Sequence, residues 1–537
     1  MGLVWVRYVT SVCCAALIVL STVAVPVFAQ DVPAGVVPAS DSTPSFTKRV
    51  EERLKPFNDW WAKTINEPLS KVLFFPIYKT DGNFKNGDQV GLPLIVVTLL
   101  FGGVFFTFRY GFLNIRMFRH AFDLVRGKYD KVGDPGEVSH FQALSSALAG
   151  TVGLGNIAGV AVAITLGGPG AVFWMWFTAF FGMSMKCSEC LLAHMYRRVK
   201  PDGRVLGGPM IYLEEGLKQL GLGPLGRGMA VVYAVFAIMS AFAAGNMFQV
   251  NQTVSVISMS FFPESDSPLA VKLLLGFVIA AMTGMVIIGG IRRIGEIAGK
   301  LVPFMCALYC LMCLAVLSMN IGEVPTMFAS IFREAFGPQA LFGGFIGVLV
   351  QGTRRAAFSN EAGLGSAAIA HSAARTDEPA REGFVALLEP FVDTIVVCTM
   401  TALAILSTGA HETVGAEGVG IARIAFSGLG GISDYLLCIA VFTFAWSTVL
   451  GWGYYGERAT EYLVGTRGIA PYRVLYVMVI CVAPLLSLGA VIDFADMLLL
   501  SLAFPNILGM ILLSGKVKAL SDDYIRRFKA GEMKMTR

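Results

Sequence analysis

The chain has 537 residues, 55% of them hydrophobic and 15% charged, with a net charge of +5. Soluble domains carry about 25% charged residues, and an apolar excess of this size cannot be hidden in a soluble core. The composition therefore argues against a soluble protein and for one that crosses a membrane several times.

Residues 1–29 contain the three parts of a signal peptide: Arg7, an apolar stretch over Val12–Val25, and Val27-Phe28-Ala29 as a cleavage site. Cleavage would leave the N-terminus exported; an uncleaved signal anchor is the alternative. Residues 30–91 then form an exported segment, in which Asn58-Asp59-Trp60-Trp61 and Leu73-Phe74-Phe75 suit the membrane interface.

Apolar runs long enough to span, about 20 residues each, follow at 92–113, 142–165, 170–195, 228–258, 270–290 and 297–319. Further runs lie at 339–371, 385–408, 433–456, 473–490 and 494–514. The expectation is an all-α polytopic membrane protein with about 11 transmembrane helices. An odd number of spans after an exported N-terminus puts the C-terminus, a basic tail over 515–537, in the cytoplasm. Charge agrees: loops on that side carry roughly 24 Lys and Arg, Arg197, Arg198, Arg292 and Arg293 among them, against about 2 (Arg333, Arg423) opposite. This pattern fits a bacterial cytoplasmic (inner) membrane. The basic tail is read as the same signal, with no nucleic-acid partner.

Ten cysteines are present, eight of them in or at the ends of apolar helices, where they behave as small hydrophobes. Cys187 and Cys190 form a C-x-x-C without a second pair or a histidine at zinc spacing. The five histidines include no H-E-x-x-H, and no G-x-x-x-x-G-K-[ST] loop is present. No metal centre, enzymatic cofactor or obligate protein partner is indicated, and a membrane enzyme is disfavoured. Composition alone does not separate a carrier from a channel.

The span at 142–165 contains AGTVGLGNIAG, with Gly150, Gly153, Gly155 and Gly159. Glycine costs about 1 kcal/mol relative to alanine inside a helix. Its G-x-G-x-x-A lacks the flanking strand of a dinucleotide site. Gly155 and Gly159 could form a G-x-x-x-G packing face. The third reading is a broken helix, whose freed carbonyls could hold a cation and whose freed amides an anion. Such breaks recur in corresponding helices of related halves. The ten spans after the first divide into fives, 142–319 and 339–514, and the second five also opens on a Gly-Leu-Gly, Gly363–Gly365. Five helices per half make the halves inverted, with broken first helices and one extra N-terminal helix at 92–113. Arg354, Arg355 and Glu361 lie in the second opener, where Glu361 could neutralise one arginine.

GTVGLGNIAGVAVAI, then GGPGAVFWMWFTAFFGM at Gly167–Met183, resemble the signature of the alanine/glycine:cation (sodium:alanine) symporters. GGPM at 207–210, FSNEAGLGSA at 358–367, DTIVVCT at 393–399 and STVLGWGYYGE at 447–457 resemble further family blocks. The resemblance implies the leucine-transporter fold and Na⁺-coupled import of small neutral amino acids, alanine and glycine. It also implies that the amides of Gly153, Leu154 and Gly155 receive the substrate carboxylate. Na⁺ would lie among the carbonyls of Ala149 and Val152 and the hydroxyls of Ser447 and Thr448, although such hydroxyls often bond back to their own helix. Asn246 and Gln249, i,i+3 neighbours on one helix face, are expected to take the substrate's polar groups, with Phe358 and Trp452 as walls. The family often has Thr or Ser where this chain has Leu154, which puts one polar contact or the substrate range in question. Coupling to H⁺ through Glu389 and Asp393, placed near a cytoplasmic helix end, is the alternative.

Overall fold

A computed structural model describes residues 70–537 except 72–73, 80–90, 132, 262–268, 338–343, 414, 417, 487, 534 and 536–537. The expected signal peptide and the tryptophan pair at 60–61 lie outside the described residues.

A small hairpin, β1 (Pro76–Lys79) with β2 (Gly91–Pro93), leads into α1 (Leu94–Arg109), the extra helix expected at 92–113. The chain then runs through α2 (His140–Thr151), α3 (Ala158–Gly167), α4 (Gly170–Met195), α5 (Gly223–Phe242) and α6 (Phe248–Phe261). It continues through α7 (Leu269–Ile287), α8 (Gly290–Met319), α9 (Gly344–Asn360), α10 (Ser366–His371) and α11 (Pro379–Ala386). The last helices are α12 (Thr399–Ser407), α13 (Ser433–Val464), α14 (Ile469–Val482), α15 (Leu488–Ser501) and α16 (Ala503–Lys529). Helices dominate because an apolar span must satisfy its own backbone N–H and C=O groups. Among the described residues six helical stretches are long and apolar enough to cross a membrane, and seven if α2 and α3 count as one bent span.

The most apolar windows of α13 and of Phe494–Lys529 are 78% buried, against 39% for α8 and Thr466–Leu485. The first two therefore sit inside the bundle, and the others present more of their apolar surface outward. The eight described cysteines are all free thiols.

The run at 494–514 lies within one long helical stretch, Phe494–Lys529, interrupted only at Leu502 between α15 and α16. The basic segment from 515 carries this helix on, because α16 continues to Lys529. Its charges are arranged for helix: Lys518 pairs with Asp522 (2.9 Å) and Arg527 with Asp523 (2.8 Å), both i,i+4. Arg527 also forks onto Glu378 at 2.8 and 3.0 Å, tying this helix to the loop before α11. The guanidinium holds the Glu378 carboxyl below the usual carboxylate range. The pair's contribution is thus complete above the ordinary glutamate value, about 4.3, and is lost as pH falls through the depressed value. Arg527→Ala is expected to lower stability at neutral pH by about 0.5–1 kcal/mol, read as a reduced melting temperature in detergent. The difference from the wild type should shrink on acidification.

Candidate functional site

Two helices break where their glycines cluster. A capping box of Ser139 and Gln142 starts α2. Its regular pattern stops after Thr151, where the Gly153 N–H turns to Asn156 Oδ1 (2.9 Å). The Asn156 N–H closes a tight turn on the Gly153 carbonyl (3.1 Å). The i+4 amides that would have bonded the Ala149 and Val152 carbonyls are thus committed elsewhere, and α3 leaves α2 at 61°. Gly159 would accept a Cβ with nothing within 4 Å, so the packing-face reading has no close contact behind it there.

The second break separates α9 from α10, as its repeated Gly-Leu-Gly suggests. Gly363 and Gly365 take φ of 87° and 79°, a region glycine enters without steric penalty. Glu361 is there as well, at φ 54°, a placement that surrounding contacts must hold and that clusters at functional sites. Those contacts are present. The Trp452 indole N–H donates to Glu361 Oε1 (3.0 Å) and the Ser366 hydroxyl to Oε2. Asn506 donates to the Gly363 carbonyl (2.8 Å), and the Gly365 N–H donates to Glu189 (3.1 Å).

A closed pocket lies between the breaks, lined among others by Gly153, Gly155, Gln249, Phe358, Glu361, Thr448 and Trp452. It has space for about one water molecule. The expected residues divide around it. Gly153, Gly155, Gln249, Phe358, Trp452 and Thr448 line it. Leu154 is buried away from it, and its amide donates to Gln249 Oε1 at 3.2 Å. Asn246 donates instead to the Tyr476 carbonyl (2.8 Å), fastening its helix to α14. A π-helical turn over Ala243–Met247 joins α5 to α6. Its wider winding takes Asn246 off the face that Gln249 presents, so the two do not share the pocket.

Ser447 and Thr448 both donate back to the Phe444 carbonyl, at 2.8 and 3.0 Å. Ser447 packs on Met305 of α8. Thr448 abuts the first break, where a Cβ on Gly153 would collide with its hydroxyl. Ala149 lies under Gly451 of α13, whose added Cβ would come within 3.4 Å of the Ala149 carbonyl carbon.

Among the described residues no arginine stands within ion-pair distance of Glu361. Arg354 and Arg355 both pair with Asp496 of α15, Arg354 at 3.1 Å. Glu389 and Asp393 are both fully buried. Glu389 pairs with Lys186 of α4 (3.2 Å).

Asp393 accepts from Asn156 (2.7 Å), Ser359 (2.7 Å) and Thr394 (2.8 Å). Among the described residues no cation stands within ion-pair distance of it. A buried carboxylate of this kind is paired or holds a cation, and its oxygens suit a hard ion. Sequence reasoning passed over this cluster because its members come from three distant segments. The available signal was polar residues inside apolar blocks: Ser359-Asn360 in one, Asp393-Thr394 in another.

The same architecture recurs in solved structures at low identity. MhsT in complex with L-phenylalanine aligns over 73% of this chain and 93% of its own, with a TM-score of 0.53 and 13% identity. The class is therefore that of leucine-transporter-fold membrane proteins. The chain belongs to the sodium:alanine symporter family, whose profile matches residues 83–537. The sodium/alanine symporter AgcS of Methanococcus maripaludis is 44% identical over 79% of this chain and 92% of its own. The probable sodium/glutamine symporter GlnT of Bacillus subtilis is 35% identical over 83% and 90%. YrbD of the same species, a putative sodium/proton-dependent alanine carrier, is 36% identical over 69% and 76%. Membership makes the chain a multi-pass amino-acid:cation symporter and not an enzyme.

Proposed function

We propose that the chain imports small neutral amino acids, alanine and glycine first, by Na⁺ symport with alternating access. The main support is the pocket between the two breaks, with a carboxylate on one wall and glycine backbone on the other. A zwitterion fits that polarity: its ammonium toward Glu361, its carboxylate toward the amides of Gly153, Leu154 and Gly155. Asn156 and Gln249 hold two of these amides through their side chains and would yield them to the substrate. Phe358, Trp452 and Leu499 close the pocket tightly, which favours a short side chain.

Na⁺ would bind near the carbonyls of Ala149 and Val152 with Ser447 and Thr448, and Asp393 would supply negative charge close to the first break. In this reading the bundle has eleven spans, α1 and two inverted sets over 142–319 and 339–514. A cleaved leader precedes them, and the C-terminus is cytoplasmic in a bacterial inner membrane. Rocking one set of helices against the other would expose the pocket to each side in turn. Proton coupling through Asp393 is less favoured, because its three hydrogen bonds come from groups that do not titrate.

Equilibrium binding of labelled alanine to the purified protein tests this. Binding is expected in Na⁺ but not in choline, displaced by glycine and not by leucine. In Ser447→Ala/Thr448→Ala the Na⁺ needed for half-maximal binding should rise several-fold. Binding indifferent to Na⁺ would refute the reading.

A further inference from the structure

A file of buried titratable side chains, unused by the pocket, runs inward from the face that carries Asp130. The Asp130 side chain is 42% exposed, and its Oδ1 lies 3.4 Å from His140 Nε2, at the start of α2. His140 Nδ1 contacts Glu382 Oε1 on α11. Glu382 Oε2 lies 2.7 Å from Nδ1 of His371, the last residue of α10. His371 Nε2 is 3.9 Å from Glu389 Oε2, and Glu389 Oε1 is 3.2 Å from Lys186 Nζ. Lys186 stands 3.5 Å from Glu189, whose other oxygen holds the Gly365 amide in the second break. From His140 inward no side chain is more than 1% exposed.

A purely structural network would balance its charges. Here three carboxylates, Glu189, Glu382 and Glu389, have Lys186 as the one permanent cation within 4 Å among the described residues. Arg197 acts on Glu382, and Arg381 on His140, only from farther away. Both donate to backbone carbonyls, Arg197 to those of Ser372, Ala374 and Thr376 and Arg381 to that of Tyr129. Further titratable neighbours are His194 and Cys190 of α4, Tyr455 of α13, Asp393 beside Glu389, Tyr212 and Tyr233 beside Glu189, and Glu361, on which Lys186 also acts. Unpaired buried carboxylates are strongly disfavoured, so the file must hold protons on its imidazoles or carboxyls. Among the described residues, His140 Nε2, His371 Nε2 and both Glu389 oxygens lack hydrogen-bond partners, leaving positions between which protons can pass.

We propose that this file is a proton relay between the Asp130 face and Glu389, which shares Lys186 with the carboxylate that holds the second helix break, so that turnover moves protons along with the amino acid and its coupling ion. His140 Nε2 takes a proton from Asp130 while its Nδ1–H passes to Glu382 Oε1. Glu382, protonated on Oε2 beforehand, releases that proton to His371 Nδ1 as its Oε1 is filled, and the His371 Nε2–H goes to Glu389 Oε2. Each transfer breaks one bond to hydrogen and forms one, and one positive charge moves inward; the reverse sequence moves it out. The widest link is the 3.9 Å step between His371 and Glu389, at the C-terminal end of α10. Movement of α10 during alternating access would close or open it, which links proton passage to transport.

The proposal rests on the transport reading for its driving cycle, so the test reads both in the same vesicles. Wild type, His371→Gln and Glu382→Gln are reconstituted with a pH dye in the lumen, and labelled alanine uptake is followed with lumen pH. The relay predicts that alanine entry shifts lumen pH in the wild type. Either substitution should reduce that shift at least tenfold while alanine/alanine exchange at equal pH persists, which also shows that the variants are folded. Alanine entry without a pH shift, or a shift unchanged in both variants, overturns the relay and leaves the transport reading intact. No alanine entry in the wild type counts against the transport reading. The relay is then read as proton entry under a K⁺ diffusion potential: entry above empty vesicles, lost in His371→Gln, supports it, and its absence overturns it.

Discussion

Asp393→Asn is expected to reduce Na⁺-driven alanine uptake by about 100-fold or more. The carboxylate is fully buried, and its three donors are Asn156 at the first break, Ser359 just before the second, and its neighbour Thr394. Asparagine keeps the size but removes the negative charge that would offset a bound cation. It also brings an NH₂ group to face donors. Leaving a buried charge uncompensated costs about 3–5 kcal/mol, and about 1.4 kcal/mol is a factor of ten in an equilibrium constant. Proteoliposome uptake measured against Na⁺ concentration checks this. A variant with unchanged Na⁺ dependence would remove Asp393 from the ion's surroundings.

The second large effect is expected from one methyl group. Gly153 has φ −134° and ψ −153°, extended backbone that any residue can adopt, so its substitution carries no conformational penalty. The obstacle is contact: a Cβ there would collide with the Thr448 hydroxyl and crowd Gln249 Oε1 at 3.3 Å. Overpacking of this kind costs about 1–3 kcal/mol, and here it would separate the first break from α13. Gly153→Ala is therefore expected to lower uptake by about 10- to 100-fold. Gly159→Ala, with nothing within 4 Å of the added carbon, should transport nearly as the wild type. Equal losses in both variants would mean that the glycine cluster acts only through general helix flexibility.

Glycine placement made both helix breaks legible in the sequence, because a chain that needs left-handed or unwound backbone has few other residues to use. That the apolar run at 92–113 holds a helix, α1, was equally visible. Other features depend on winding or on contacts between distant segments. Asn246 and Gln249 share a face on an ordinary helix, and only the π turn at Ala243–Met247 takes Asn246 off that face. Glu361 is adjacent in sequence to arginine-rich chain, yet its partners are Trp452 and Ser366, while the arginines turn to Asp496. Apolar content alone likewise did not mark the continuation of α16, where charge pairs extend the helix past the apolar run. The relay was hidden for a similar reason. His140, Lys186, His371, Glu382 and Glu389 look like scattered charges until α2, α4, α10, α11 and the helical turn Leu388–Pro390 bring them into file.

The most direct test of the account is uptake of labelled alanine into proteoliposomes under inward gradients of Na⁺, Li⁺, K⁺ or H⁺. Concentrative uptake driven by Na⁺, and none when K⁺ replaces it, is the predicted result. Accumulation under a proton gradient with no response to Na⁺ would contradict it.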